Sequence, residues 1–480
     1  MTLQIKEKPK DSPLTFLNKF FFGMGEIPNT TAKTALGVIF MIYLTDVVGL
    51  IPALAGSVFM IGRVWDGFSD PMMGFITDRT RTRFGRRRPF FLIAAIPMAL
   101  VFYFMFYPLG LETQTQKMVI YTAIYVLFMT FITVYGVPYL TMMTELTDDY
   151  SQRTSLANFR MFFSLVFGLF AVVVPEEIAK SYVPEELKLA VKQGLASAEE
   201  KIPYLQEGYS MAGTIIAILL LVFPFILFAT TRERYKDVKK SPRLEVFSEF
   251  RQLIKNKPFL LLLVIYVGCF AAINVIEGFV LYYIKYWIQD DSVFQILMIT
   301  VVLVSVVSLP LWTLMTKKIG KRNTTVFGLT FWGLTQLLWM VIDGNTPHLL
   351  IYVTGALVGL GYGAAHTMPW AIFPDVMDLD ELETGKRREG IYAGLMMVTM
   401  KTGNALAMFL IGITLSAVGY IANQPQSGMA LQAMRGIMTF GPWVFIVPAL
   451  ISAWFFPITP ERYKKIWEDL VSKRQTETAS

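Results

Sequence analysis

Asp66 and Asp70 stand four residues apart in the stretch Arg63-Val-Trp-Asp-Gly-Phe-Ser-Asp-Pro71, so on a helix both carboxylates leave one face. The residues around them, from Ile51 to Ile76, are otherwise apolar enough to span a bilayer. A charge at the bilayer centre costs roughly 2.5–3.5 kcal/mol on insertion scales, and Arg63, one turn earlier, offsets only part of two acids. The spacing therefore predicts a cation site at Asp66 and Asp70. The alternative is a structural Arg63–Asp66 ion pair with Asp70 capping a kink at Pro71, which explains one acid better than two.

Other polar residues inside apolar stretches carry the same cost and extend the candidate set. Glu26, Asn29, Thr30 and Lys33 recur at helical spacing in the first stretch and form one polar stripe, or else a Glu26–Lys33 contact ties a helix end. Thr133, Tyr135 and Gly136 precede Pro138, where a lost backbone hydrogen bond exposes carbonyls to a cavity or simply marks a kink. Arg160 lies near the start of its stretch and either reaches a ligand or snorkels to headgroups. Asn274 and Glu277 are one turn apart, and Glu277 is too short to snorkel. His366 precedes Pro369 and Trp370; it is a proton carrier or a structural hydrogen bonder. Lys401, deep in its stretch, is a ligand cation or a counter-charge for Asp66 or Glu277.

The elements that must hold these residues are membrane helices. Of 480 residues, 54% are hydrophobic and 16% charged, and the mean hydropathy is +0.50, which excludes a soluble globule. Twelve spans are predicted at 20–45, 51–76, 89–110, 117–143, 157–175, 209–230, 258–288, 293–316, 324–343, 348–373, 390–418 and 436–457. About three quarters of the 43 Lys and Arg residues fall on the N-terminal side of this topology, which predicts both termini in the cytoplasm. Lys33, Arg63, Arg160, Lys285 and Lys401 lie within or at the edges of spans. The lysine-bearing N-terminus precedes a retained first span, since no small-residue cleavage pattern follows it. The single cysteine, Cys269, supplies neither a disulfide framework nor a metal site. No Gly-rich phosphate loop, paired-His zinc motif or Gly-x-Ser-x-Gly elbow is present, so the chain reads as a transporter and not an enzyme. The net charge of +7 follows the topology and implies no nucleic-acid partner.

A weak repeat divides the chain. Arg83-Phe-Gly-Arg-Arg echoes Lys318-Ile-Gly-Lys-Arg, and Pro138-Tyr139 before the acidic loop Glu145 to Asp149 echoes Pro369-Trp370 before an acidic loop at Asp375 to Glu383. The expected organisation is a bundle at 1–230, a cytoplasmic linker at 231–257 and a second bundle with tail at 258–480, two parallel six-helix halves around a midplane site. An outside loop, 175–208, is expected to be partly helical.

On these residues the chain resembles the glycoside-pentoside-hexuronide:cation symporters of the major facilitator superfamily, of melibiose permease type. The match runs through Gly23-Met-Gly, Tyr43-Leu-Thr-Asp-Val-Val-Gly-Leu50, Trp65-Asp-x-x-x-Asp-Pro71, Thr80-Arg-x-Arg-x-Gly85, Pro138-Tyr139, Pro374-Asp-Val-Met-Asp378 and Lys401. The resemblance implies an all-α membrane protein of two six-helix bundles, with Asp66, Ser69, Asp70 and Thr133 as the sodium or proton site. It implies that Arg160, His366 and Lys401 line the substrate cavity, to which Asn29, Thr30, Tyr135, Glu277 and Trp370 are added from their positions. The two carboxylates that hold a galactoside in the family fall here at Thr30 and Gly136. Ala-Leu-Gly37, Glu277-Gly278 before Phe-Val-Leu, and Pro369-Trp370 before Pro374-Asp375 are similar to the sodium-dependent lysophosphatidylcholine symporters, where cations and an acid matching Arg160, Lys401 and Glu277 serve a zwitterionic headgroup. The expected substrate is a glycoside or charged sugar, with a lysophospholipid as the alternative. The loops around Arg86, Arg87 and Lys321, with Arg63, Asp148 and Asp378, are expected to gate the inner side. The expected setting is the plasma membrane, or the inner membrane of a Gram-negative cell, with the chain functional as a monomer and requiring no cofactor beyond the coupling ion.

Overall fold

The computed structural model describes residues 14–147, 150–233, 256–385 and 389–479, and every regular element among them is helical. The first predicted span is not one helix. It is α1 (Phe16–Met24), α2 (Glu26–Val38) and α3 (Phe40–Ile42), followed by a turn of π-helix at Tyr43–Val47. The second is α4 (Pro52–Arg79), which continues as one helix through Pro71. Next come α5 (Arg88–Met105), α6 (Gln114–Leu146), α7 (Tyr150–Ser181), the short α8 (Glu185–Lys192) and α9 (Ile202–Thr230). The second half holds α10 (Lys257–Tyr282), α11 (Val293–Val307), α12 (Leu309–Gln336), α13 (His348–Thr384), α14 (Glu389–Ala417), α15 (Gly428–Phe440), α16 (Trp443–Trp454) and α17 (Pro460–Ala479).

All twelve predicted stretches fall mainly on helix. Among the described residues nine helical segments are long and apolar enough to cross a membrane; one of these, Val293–Met340, contains two predicted stretches. They part near Gly320, whose φ of 80° and ψ of 160° reverse the chain where the repeated basic Gly motif predicts a loop. The first stretch is too broken to count, and Arg63, Asp66 and Asp70 dilute the second.

The acidic loop expected at Asp375 to Glu383 is instead the last turns of α13, because Pro374 sits within a helix already supported on both sides. The helix stops at Gly385, where a φ of 70° lets the N–H reach the Glu381 carbonyl. The outside loop is shorter than expected, since α7 runs on to Ser181.

By packing, the described residues form two units: those of Met1–Leu36 with Phe68–Lys240, and those of Gly37–Gly67 with Ser241–Ser480. Residues 37–67, part of the first half by sequence, thus pack with the second. In the first unit α5 packs on α6 and α9, and α7 on α1 and α9. In the second, α10 packs on α14 and α16, and α13 on α11 and α12. Gly355, Gly359 and Gly363, one every four residues of α13, let it lie against α11. A Cβ at Gly359 would sit 2.6 Å from the Val301 carbonyl oxygen. Because that obstacle is backbone, Gly359→Leu should cost roughly 1–3 kcal/mol through overpacking, seen as a lower unfolding temperature of the purified protein.

Candidate functional site

In the first unit the break between α1 and α2 at Gly25 frees backbone carbonyls inside an apolar region. Two tyrosines of α6, one turn apart, satisfy them: Tyr135 donates to the Gly25 carbonyl at 2.6 Å and Tyr139 to that of Phe22 at 3.0 Å. Tyr135, expected among the substrate ligands, is therefore fully buried and holds the helix break. Just beyond the break, Glu26 points at Arg160 of α7, Oε2 to Nε 2.5 Å. Glu26 also accepts from Asn29 at 3.2 Å and Thr30 at 3.3 Å, and Thr30 reaches Ser164 at 3.0 Å. Glu26 is thus partnered by Arg160 across 134 residues of sequence, and Arg160 does not simply snorkel.

Three of the four expected cation ligands meet in the same unit. Thr133 of α6 donates to Asp70 Oδ1 at 3.0 Å and accepts from Ser69 at 3.3 Å. One carboxylate and two hydroxyls make a hard-oxygen cluster of the kind a small cation prefers.

Asp66, one turn before Asp70 on α4, belongs to the second unit. Its Oδ2 lies 2.7 Å from Nζ of Lys401 on α14, and both side chains are almost fully buried. The counter-charge reading of Lys401 is the observed one, reached across 335 residues of sequence. Arg63 lies half-buried one turn before Asp66. On α10, Glu277 accepts from Tyr362 of α13 at 2.9 Å, and Asn274 donates to the Phe270 carbonyl at 3.0 Å. His366 and Trp370 follow Tyr362 along one face of α13. Their rings lie 5.3 Å from Phe270 and 5.3 Å from Tyr266 respectively, and both side chains are exposed.

The expected gate residues find partners close at hand. Arg86 and Arg87, both buried, lie 3.7 Å from Asp78, the last acid of α4. Glu233 accepts from the backbone N–H groups of Arg86, Arg87 and Arg88 at 2.6, 2.7 and 2.9 Å, neutralising the N-terminus of α5. Lys321 pairs with Asp375 at 2.5 Å, while Asp378 accepts from Tyr463 of α17 at 3.0 Å. Asp148 lies outside the described residues.

Sequence reading missed one cluster. Asp46, 3% exposed, receives Lys285 and Tyr286 at 2.5 Å each, and also Tyr420. The usable signals were an acid ending the first span and a lysine at the edge of the seventh, but nothing in the sequence joined them.

Residues 21–460 match the family model described as MFS/sugar transport protein. The chain belongs to this family. It is a multi-pass membrane transporter, not an enzyme. It is 27% identical to the glucuronide carrier protein homolog of Escherichia coli, with 95% of each chain aligned. It is 25% identical to the sodium-dependent lysophosphatidylcholine symporter 1-A of Danio rerio, over 95% of this chain and 88% of that one. Among solved structures it matches the inward open xylose transporter XylE of E. coli with a TM-score of 0.62 at 12% identity, covering 94% of this chain and 99% of that one. That likeness gives the transporter the major facilitator fold.

Proposed function

We propose that the transporter is a cation-coupled symporter of the plasma membrane that moves a hydroxyl-rich solute of the glycoside type by alternating access. The observation that carries this reading is charge pairing. Arg160 is matched by Glu26 and Lys401 by Asp66, so neither cation presents an uncompensated charge to an anionic headgroup. Within the first unit, Glu26, Asn29 and Thr30 offer acceptors and donors suited to sugar hydroxyls. Coupling is assigned to the cluster of Asp70, Ser69 and Thr133. Sodium is favoured over a proton because hydroxyl oxygens add to ion ligation but not to proton affinity of the carboxylate.

The second reading is a sodium-dependent symporter of lysophospholipid. The exposed His366 and Trp370, with the half-buried Phe270 5.3 Å from His366, favour it, as does the relative of that name. Proteoliposomes with an imposed sodium or pH gradient, supplied with neutral glycosides, uronides and lysophospholipids, separate the two. Sodium-dependent accumulation of a glycoside is expected. Uptake of lysophospholipid alone, or uptake of any solute without gradient dependence, would overturn the glycoside reading.

A further inference from the structure

Within the first unit, α5 and α9 enclose a groove of about 470 Å³ that has no part in the site described above. Ile96 and Leu100 of α5 and Ile218 and Phe225 of α9 form its exposed rim, over a buried floor of Ala99 and Ala217. The two chains close on each other at either end. A Cβ at Gly213 would sit 2.8 Å from the Phe106 Cβ, and Phe84, just before α5, meets Phe228 of α9 edge-on with ring centroids 5.7 Å apart. Between those contacts the small alanines leave a trough. Its lining carries two hydroxyls, of Tyr103 and Thr214, and Thr214 spends its own on the Ser210 carbonyl at 2.7 Å. A polar solute would lose its water there for almost nothing, whereas hydrocarbon fits.

One end of the groove is basic. Phe228 follows Phe225 by one turn of α9, and the half-buried Arg88 lies over its ring at 4.4 Å while donating to its carbonyl at 2.6 Å. The exposed Arg83 lies over the Phe84 ring at 4.6 Å. The acids nearby are engaged: Glu233 accepts from the N–H groups of Arg86, Arg87 and Arg88, and Asp78 faces Arg86 and Arg87. Arg83 and Arg88 therefore leave positive charge where the groove ends. Length agrees with this polarity. The lining of α9 runs from Thr214 to Phe225, about 16 Å of helix, which is the depth of one leaflet in a hydrocarbon core roughly 30 Å thick.

We propose that the groove between α5 and α9 binds one acyl chain of an anionic phospholipid, whose phosphate lies against Arg83 and Arg88. The apolar trough takes the chain, and the guanidinium charges select the headgroup. By the predicted topology the lipid comes from the cytoplasmic leaflet. The inference is independent of the transported solute and of the coupling ion.

The test uses the full-length protein, purified in detergent and mixed with phosphatidylglycerol that carries a photoreactive diazirine midway along one chain. After illumination, peptide mass spectrometry should find label on residues 96–103 and 214–225 at least about fivefold above that on other exposed apolar stretches, such as α6 around Val119 and Leu127. Label spread evenly over the exposed helices would mean annular lipid only and overturn the site. Phosphatidylcholine bearing the same diazirine should label the groove at most about a third as well, and equal labelling would overturn the role given to the arginines. Ala217→Leu raises the floor with hydrocarbon and should cut labelling of the groove about fivefold. Arg83→Gln changes an exposed position outside the helices and should at least halve the preference for phosphatidylglycerol. The site is overturned if Ala217→Leu folds and labels like the parent, and the headgroup contact is overturned if Arg83→Gln keeps the full preference.

Discussion

Asp70→Asn should abolish gradient-driven accumulation while sparing exchange. The substitution keeps the volume and leaves an oxygen to accept from Thr133, 3.0 Å away in the native site, so local packing persists. What it removes is the charge that only a cation can balance in an apolar surrounding. Without that charge, cation binding and solute binding no longer favour one another, and uptake against a gradient should fall at least tenfold in proteoliposomes. Counterflow of labelled solute needs no ion gradient and should continue at a reduced rate. Thr133→Val is the milder companion. It deletes one oxygen, and should raise the sodium concentration needed for half-maximal uptake more than it lowers the rate. Sodium-driven concentration of solute by Asp70→Asn would move the coupling site elsewhere.

Much of this site is legible in the sequence because of cost. An acid in an apolar run needs a reason, so Asp66, Asp70, Glu26 and Glu277 stand out without any structure. The helices are legible for the same kind of reason, since backbone groups in hydrocarbon must bond within their own segment. Gly320 is legible as a turn because a glycine inside a basic motif separates two apolar runs. Partner choice is a different matter. Asp66 has Arg63 one turn away, and its pair with Lys401 reaches across 335 residues. Glu26 has Lys33 two turns away, and its pair with Arg160 reaches across 134. Local spacing ranks neighbours along one helix, while the buried pair is decided by which helix packs alongside. The break at Gly25 is hidden likewise, because the tyrosines that make it tolerable lie on α6. Glu233 reads as one charge in a charged linker, and only its contact with the N–H groups of Arg86, Arg87 and Arg88, at the entry to α5, gives it a place.

The pairing of Lys401 with Asp66 also changes what removing the lysine should do. Were Lys401 an open anion receptor, Lys401→Ala would weaken charged solutes and leave the fold intact. With Nζ 2.7 Å from a nearly fully buried carboxylate, the substitution removes the Lys401 charge that faces Asp66, and breaking a buried pair from one side costs about 3–5 kcal/mol. Lys401→Ala should therefore lower the unfolding temperature and yield of the purified protein, for every class of solute tested. Asp66→Asn should do the same from the other side, because an ammonium is then left in the apolar interior. The double variant, Asp66→Asn with Lys401→Met, leaves no charge behind and should recover most of the stability lost by either single change. It should not recover concentrative uptake if Asp66 cooperates with Asp70, one turn further along α4, in responding to the cation. Stability restored with coupling still absent identifies the pair as part of the transport machinery. Restoration of both would make it a structural tie and leave Asp70 with Ser69 and Thr133 as the whole cation site.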